Sequence, residues 1–170
     1  MAGRRDLAPP PGVGVAYQTR RVHLAATAGL GFLLAVLWFD LMFDVQVLGH
    51  YETDLPAEVL DSIAAYYRRV TTNARPMNRL IAFFMVVTLV ALIGEIVQGD
   101  VRVWAAALSL GWAGVGIGLA GARTVRDAQR LGSQLDTADE QSALAQSILR
   151  DHIVCLVAIV TALILQVFVA

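Results

Sequence analysis

The sequence contains no lysine: all 13 basic residues are arginine, and they stand against 14 acidic residues for a formal net charge of −1. With neither sign in excess, no overall field draws in nucleic acid, and no such partner is expected. A single cysteine, Cys155, excludes an intramolecular disulfide framework and any cysteine-paired zinc site. Charge is scarce throughout, at 16% of residues where an ordinary soluble domain carries about 25%. Hydrophobic residues make up 57%, which rules out a disordered chain and argues against a water-soluble globule. The arginine-only basic set fits a GC-rich bacterial coding habit. Also missing are a phosphate loop, a nucleophile elbow, an HExxH pair, a dinucleotide fingerprint and an internal repeat.

What is present is apolar length. The 170 residues suit one domain, and four stretches approach the roughly 20 apolar residues that a bilayer span needs: 24–43, 77–98, 101–122 and 152–169. The first is too long for a signal peptide, and Trp38, Asp40 and Asp44 stand where a cleavage site belongs. Lipid offers no partner to a backbone amide, so the spans are expected to be helices. The fold class is therefore an all-α integral membrane bundle of four transmembrane helices behind a flexible tail at 1–23.

The connections carry further structure. Gly99 and Asp100 leave room for only a tight hairpin between spans two and three. Between spans one and two, 56–73 reads as an amphipathic helix lying on the membrane or capping the bundle. Pro56 stands at its first position, and Val59, Ile63, Tyr66, Tyr67 and Val70 recur opposite Asp61, Arg68 and Arg69. Arg75-Pro76 ends it and restarts the chain as span two. Thr137 with Glu140 forms a capping box for a last helix that can run unbroken from about residue 138. The large connections and their flanks carry eight arginines and the tail plus short hairpin five, so the positive-inside rule leans toward cytoplasmic large connections.

Counting depth along alternating spans gathers the polar residues at one membrane face. Asp40 and Asp44, four apart and so on one helix face, meet Asn78 and Arg79, Arg123, Arg126 and Asp127, and Arg150, Asp151 and His152. Asp40 lies about a turn inside the hydrocarbon, where an unpaired carboxylate costs about 2.5–3.5 kcal/mol. It is expected to face the interior beside Arg79 or Arg123. Such a network can simply lock helices, with arginines snorkelling to the headgroups. Read as a site, it has Asp40 and His152 as acid–base groups, with Asp44, Asn78, Arg79 and Arg123 around the ligand, an arginine holding its anionic or carbonyl oxygen. Asp40, Asp44, His50 and His152 also make an oxygen–nitrogen set for a transition metal, although no i, i+4 histidine pair supports one, and neither metal nor haem is assigned; the cofactor stays unknown. At the opposite face Glu95 and Gln98 meet Arg102 and Gln166, with a local Glu95–Arg102 ion pair expected and Glu95 as a proton-carrying candidate. Tyr66 and Tyr67 read as interface aromatics, and Cys155 as a small buried hydrophobe.

The stretch Tyr66-Tyr67-Arg68-Arg69-Val70-Thr71-Thr72-Asn73-Ala74-Arg75-Pro76-Met77, following a first span, resembles the small four-span bacterial proteins grouped with anthrone oxygenase-like domains. There, too, a short amphipathic helix leads through an Asn- and Pro-containing stretch into the second span. The resemblance implies a compact bundle and, for some members, cofactor-independent oxidation of a polycyclic phenol. Asp40 and Asp44 have no counterpart in it, and no catalytic residue is carried over.

The leading functional expectation is a protein of the bacterial inner membrane that binds or acts on a small lipophilic molecule. Two others stand beside it. One is a proton-coupled transporter using Glu95 or Asp40. The other is an accessory subunit, or homo-oligomer, that docks through the small-xxx-small face of Gly114 and Gly118.

Overall fold

A computed structural model of the chain describes residues 13–50, 54–99 and 102–169. Six α-helices account for nearly all of it: α1 (Val13–Asp44), α2 (Ala57–Arg68), α3 (Arg75–Gln98), α4 (Val103–Leu119), α5 (Val125–Ser133) and α6 (Ala138–Phe168). Helices α1, α3, α4 and α6 form a ring in which α1 and α4 each neighbour both α3 and α6. Four helical stretches are long and apolar enough to cross a membrane: Tyr17–Val47, Pro76–Gln98, Val103–Ser133 and Ala138–Phe168. Large apolar side chains such as Trp38, Phe83, Val90, Trp104, Val115, Val157 and Ile164 point outward around the ring. In water that girdle would aggregate; against lipid tails it is the ordinary outer face of a bundle.

Two cores stack along the molecule. The bundle core holds Leu30, Leu33, Leu92, Ala113, Cys155, Ile159 and Ala162, and a stacked Phe32–Phe84 pair joins α1 to α3 with centroids 4.1 Å apart. The second core lies above it in a cap made of α2, α5 and the first half of α6, around Ile63, Ala64, Tyr67, Leu131, Ile148 and Leu149. Helix α6 runs through both. Its start is fixed by the capping box, in which the Thr137 hydroxyl accepts from Glu140 N–H and the Glu140 carboxylate accepts from Thr137 N–H. The loop after α1 is tied to it, since Leu55 N–H donates to Ser142 Oγ (3.0 Å) and Gln146 Nε2 donates to the His50 carbonyl (3.1 Å).

The amphipathic helix thus caps the bundle. Pro56 stands one position before the first helical residue, as N-cap with extended ψ. The expected tail is corrected as well: residues 1–12 lie outside the described residues, but 13–23 already belong to α1. Besides a 3-10 turn at Val45–Val47, two segments depart from α geometry. Arg69–Asn73 and Ala120–Thr124 are π-helical, each adding a residue to its turn and re-aiming the side chains that follow, a device common at functional sites. The first closes with Ala74 N–H on the Arg69 carbonyl at 2.7 Å.

Helices α2 and α5 approach most closely at Gly132. A methyl group there would lie 2.8 Å from the Arg68 backbone nitrogen and 3.2 Å from the Tyr67 carbonyl carbon, both rigid backbone. A methyl group added at Gly114 or Gly118 would meet nothing within 4 Å, and the α4 glycine packed inside the bundle is Gly116, against Ala158 and Ile159. Gly132→Ala is therefore expected to destabilise the cap by about 1–3 kcal/mol. Gly114→Ala and Gly118→Ala in the monomer should not, a contrast that thermal unfolding in mild detergent resolves.

Candidate functional site

Where the cap meets the bundle, a cavity of about 320 Å³ opens among α1, α2, α3, α4, α5 and α6. Its walls are mostly apolar: Leu33, Leu37, Ile81, Met85, Ile117 and Ile159. Its polar exceptions gather under the cap: Asp40, Tyr66, Tyr67, Thr71, Asn78, Thr124 and His152. Both π-helical segments contribute, Val70 and Thr71 from one and Ala120 and Thr124 from the other. Phe39 on α1, Met77 on α3 and Val125 on α5 line the cavity yet are exposed, so it opens to the outside around α3.

The centre of the polar end is Asp44, only 1% exposed. One carboxylate oxygen accepts from the Tyr67 hydroxyl at 2.6 Å and the other lies 2.6 Å from His152 Nδ1. A carboxylate at that distance makes Nδ1 the donor, so in the neutral ring Nε2 is the basic nitrogen. Nε2 faces Asp40, whose Oδ2 is 3.9 Å away, too far for a strong hydrogen bond. Asp40 Oδ1 accepts from the Tyr66 hydroxyl at 2.6 Å. Tyr66 is held in place by stacking on Phe43, with centroids 3.9 Å apart. The result is an orienting acid (Asp44), an oriented base (His152) and a second acid–phenol pair (Asp40–Tyr66) facing one apolar chamber. That is the geometry of general acid–base chemistry. Burial, reinforced by the adjacent carboxylates, raises both phenols far above the ordinary tyrosine range, so they remain donors.

Several sequence expectations are corrected here. Neither arginine reaches Asp40. Arg79 is exposed, and Arg123 pairs with Asp127 and Asp151 (3.5 and 3.6 Å) and donates to Ser147 Oγ at 2.6 Å. Helix α6 comes close enough to satisfy Arg123 with its own acid, while α2 supplies phenols to Asp40 and Asp44. Tyr66 and Tyr67, expected as interface aromatics, are site residues; their adjacency on the buried face of α2 was the available signal. Asn78 does line the cavity, where its amide donates to the Thr71 carbonyl at 3.2 Å. His50 stays in the cap with Nδ1 buried and unpaired. Among the described residues no three His, Cys, Asp or Glu side chains converge on a common metal position. Cys155 is buried, lines the cavity and donates to the Gly116 carbonyl at 3.3 Å.

At the opposite end, Glu95 is fully buried. It accepts from Gln166 Nε2 at 2.9 Å and pairs with His23 Nδ1 at 3.0 Å. The expected partner Arg102 is exposed, because α1 and α6 reach the carboxylate first. Gln166 Oε1, Gln98 Oε1 and Thr27 Oγ1 are buried there without a hydrogen-bond partner.

No family model, curated protein or solved structure matches the chain.

The raised phenols set an alkaline limit. The folded state holds their protons more tightly than the unfolded chain does. The stability they contribute is complete below about pH 10 and is lost as pH rises beyond it. Unfolding temperature in detergent is expected to be level between about pH 8 and 9.5 and to fall above about pH 10. The fall should be shallower in Tyr67→Phe.

Proposed function

We propose that this is a multi-pass protein of a bacterial inner membrane that binds a small lipophilic molecule in the capped cavity, with His152 as the acid–base group at its polar end. The observation that carries the reading is the pairing of an apolar chamber with an imidazole whose free nitrogen faces into it while its other nitrogen is held by a buried carboxylate. The cavity's size falls at the lower end of small-molecule sites, about 300–1,000 Å³. Bound there, a ligand carrying an acidic O–H or C–H meets His152 Nε2 as proton acceptor, and Asp44 stabilises the imidazolium formed. A polycyclic phenol, the substrate type that the anthrone oxygenase resemblance implies, has such a proton.

A second reading, proton-coupled movement of the ligand, is favoured by Glu95. It is buried at the other membrane face and touches the partly exposed His23, a pairing suited to taking up and releasing a proton. A role as a docking subunit or homo-oligomer keeps the Gly114 and Gly118 face, where an added methyl group would meet nothing in the chain. It predicts a complex that survives purification and is lost in the Gly114→Leu, Gly118→Leu double variant.

The cavity reading is tested by filling the chamber. Ala120 lines it from a π-helical turn, and Ala120→Trp puts an indole into the space while leaving Asp44 and His152 unsubstituted. Native mass spectrometry from mild detergent, after incubation with a panel of lipophilic phenols, enones and amines, is expected to show retained adducts on the wild type. Ala120→Trp should lose them, with affinity at least about tenfold lower. Adducts of equal occupancy on both proteins, with helical content unchanged, would overturn the proposal.

A further inference from the structure

The absence of arginine beside Asp40 leaves a charge imbalance that narrows the ligand class. Helix α1 brings two carboxylates to the polar end, Asp40 and Asp44. Helix α6 brings one imidazole, His152, at 2.6 Å from Asp44 and 3.9 Å from Asp40. Helix α2 adds two phenols held neutral, α3 the neutral amide of Asn78, and the α4–α5 junction the Thr124 hydroxyl. The next acid on α6, Asp151, shares Arg123 with Asp127. Among the described residues no arginine lines the cavity. One imidazole, even fully protonated, cancels one carboxylate of the two. The chamber therefore carries a surplus acidic group, and burying such a group uncompensated is costly.

We propose that the cavity is selective for a lipophilic cation, a protonated amine on an apolar body, with its ammonium group seated between Asp40 and His152. This rests on the reading of the cavity as the binding site. An ammonium offers up to three donors, enough for Asp40 Oδ2, the neutral Nε2 of His152 and the Tyr66 oxygen. The apolar body lies along Leu33, Met85, Ile117 and Ile159, farther into the bundle. In the empty protein a proton does the neutralising, and the ammonium takes its place. An anionic head, or a carbonyl oxygen seeking a cationic donor, has no matching charge at this end.

The test uses three probes with one aromatic body: naphthylethylamine, naphthylethanol and naphthylacetate. Each is titrated calorimetrically at neutral pH into the full chain in lipid nanodiscs, with empty nanodiscs as the partition control. The amine is expected to bind on the order of tenfold to a hundredfold more tightly than the alcohol, and the acetate more weakly than either. Asp40→Asn should bring the amine down to the level of the alcohol, and Ala120→Trp should weaken all three. If Asp40→Asn does not accumulate, the amine-to-alcohol ratio on the wild type decides alone. An alcohol that equals the amine, or a preferred acetate, with binding still lost in Ala120→Trp, overturns the cation selectivity while the cavity stands. Binding of none of the three, or binding indifferent to Ala120→Trp, overturns the cavity reading and the selectivity with it.

Discussion

The Asp44 carboxylate, shut away from water and held between a phenol and an imidazole, is the contact around which this protein is organised. It joins three helices that the sequence separates widely: α1 through the acid itself, α2 through Tyr67 and α6 through His152. Removing either partner strands a buried charge, which is far more damaging than losing an ordinary hydrogen bond. The cap is thus tied to the bundle by polar bonds at the level where the apolar cores divide. The same bonds fix which imidazole nitrogen faces the cavity. Structure and chemistry draw on the same three side chains, so neither can be altered without the other.

Much of the architecture was legible from apolar length. Spans two and three and the long last helix follow from hydrophobic runs bounded by Gly99, Pro76 and the Thr137–Glu140 box, all of which are local signals. Depth counting placed Asp40, Asp44 and His152 at one level, because helical rise converts sequence position to height. Rotation about each helix axis was not legible, and partner choice depends on it. Arg79 and Arg123 stand at the right height but face away from Asp40, toward the exterior in one case and toward Asp151 in the other. The two tyrosines could be placed on the apolar face of α2, but whether that face met lipid or other helices depended on packing. The π-helical turns left no periodic trace. Each shifts the register by a single residue, and hydrophobic periodicity cannot resolve that over so short a stretch.

The two buried carboxylate clusters differ in kind. Glu95 has a nitrogen partner on each oxygen, and the unpaired buried atoms are oxygens: Gln166 Oε1, Gln98 Oε1 and Thr27 Oγ1. Asp40 faces empty apolar volume with one oxygen free, a setting suited to holding part of another molecule.

Helix α6 also serves as a ruler. At about 1.5 Å per residue, its 31 residues exceed a hydrocarbon layer about 30 Å thick, so one end must stand outside the oil. His152 is the fifteenth residue of that rod, and the stretch beyond it is just long enough to cross most of the layer. The polar floor of the chamber therefore sits at the boundary depth where a dissolved amphiphile already keeps its head group. On the proposed reading, such a molecule would slide in from the bilayer at constant height past Phe39 and Met77, never crossing open water and never turning over.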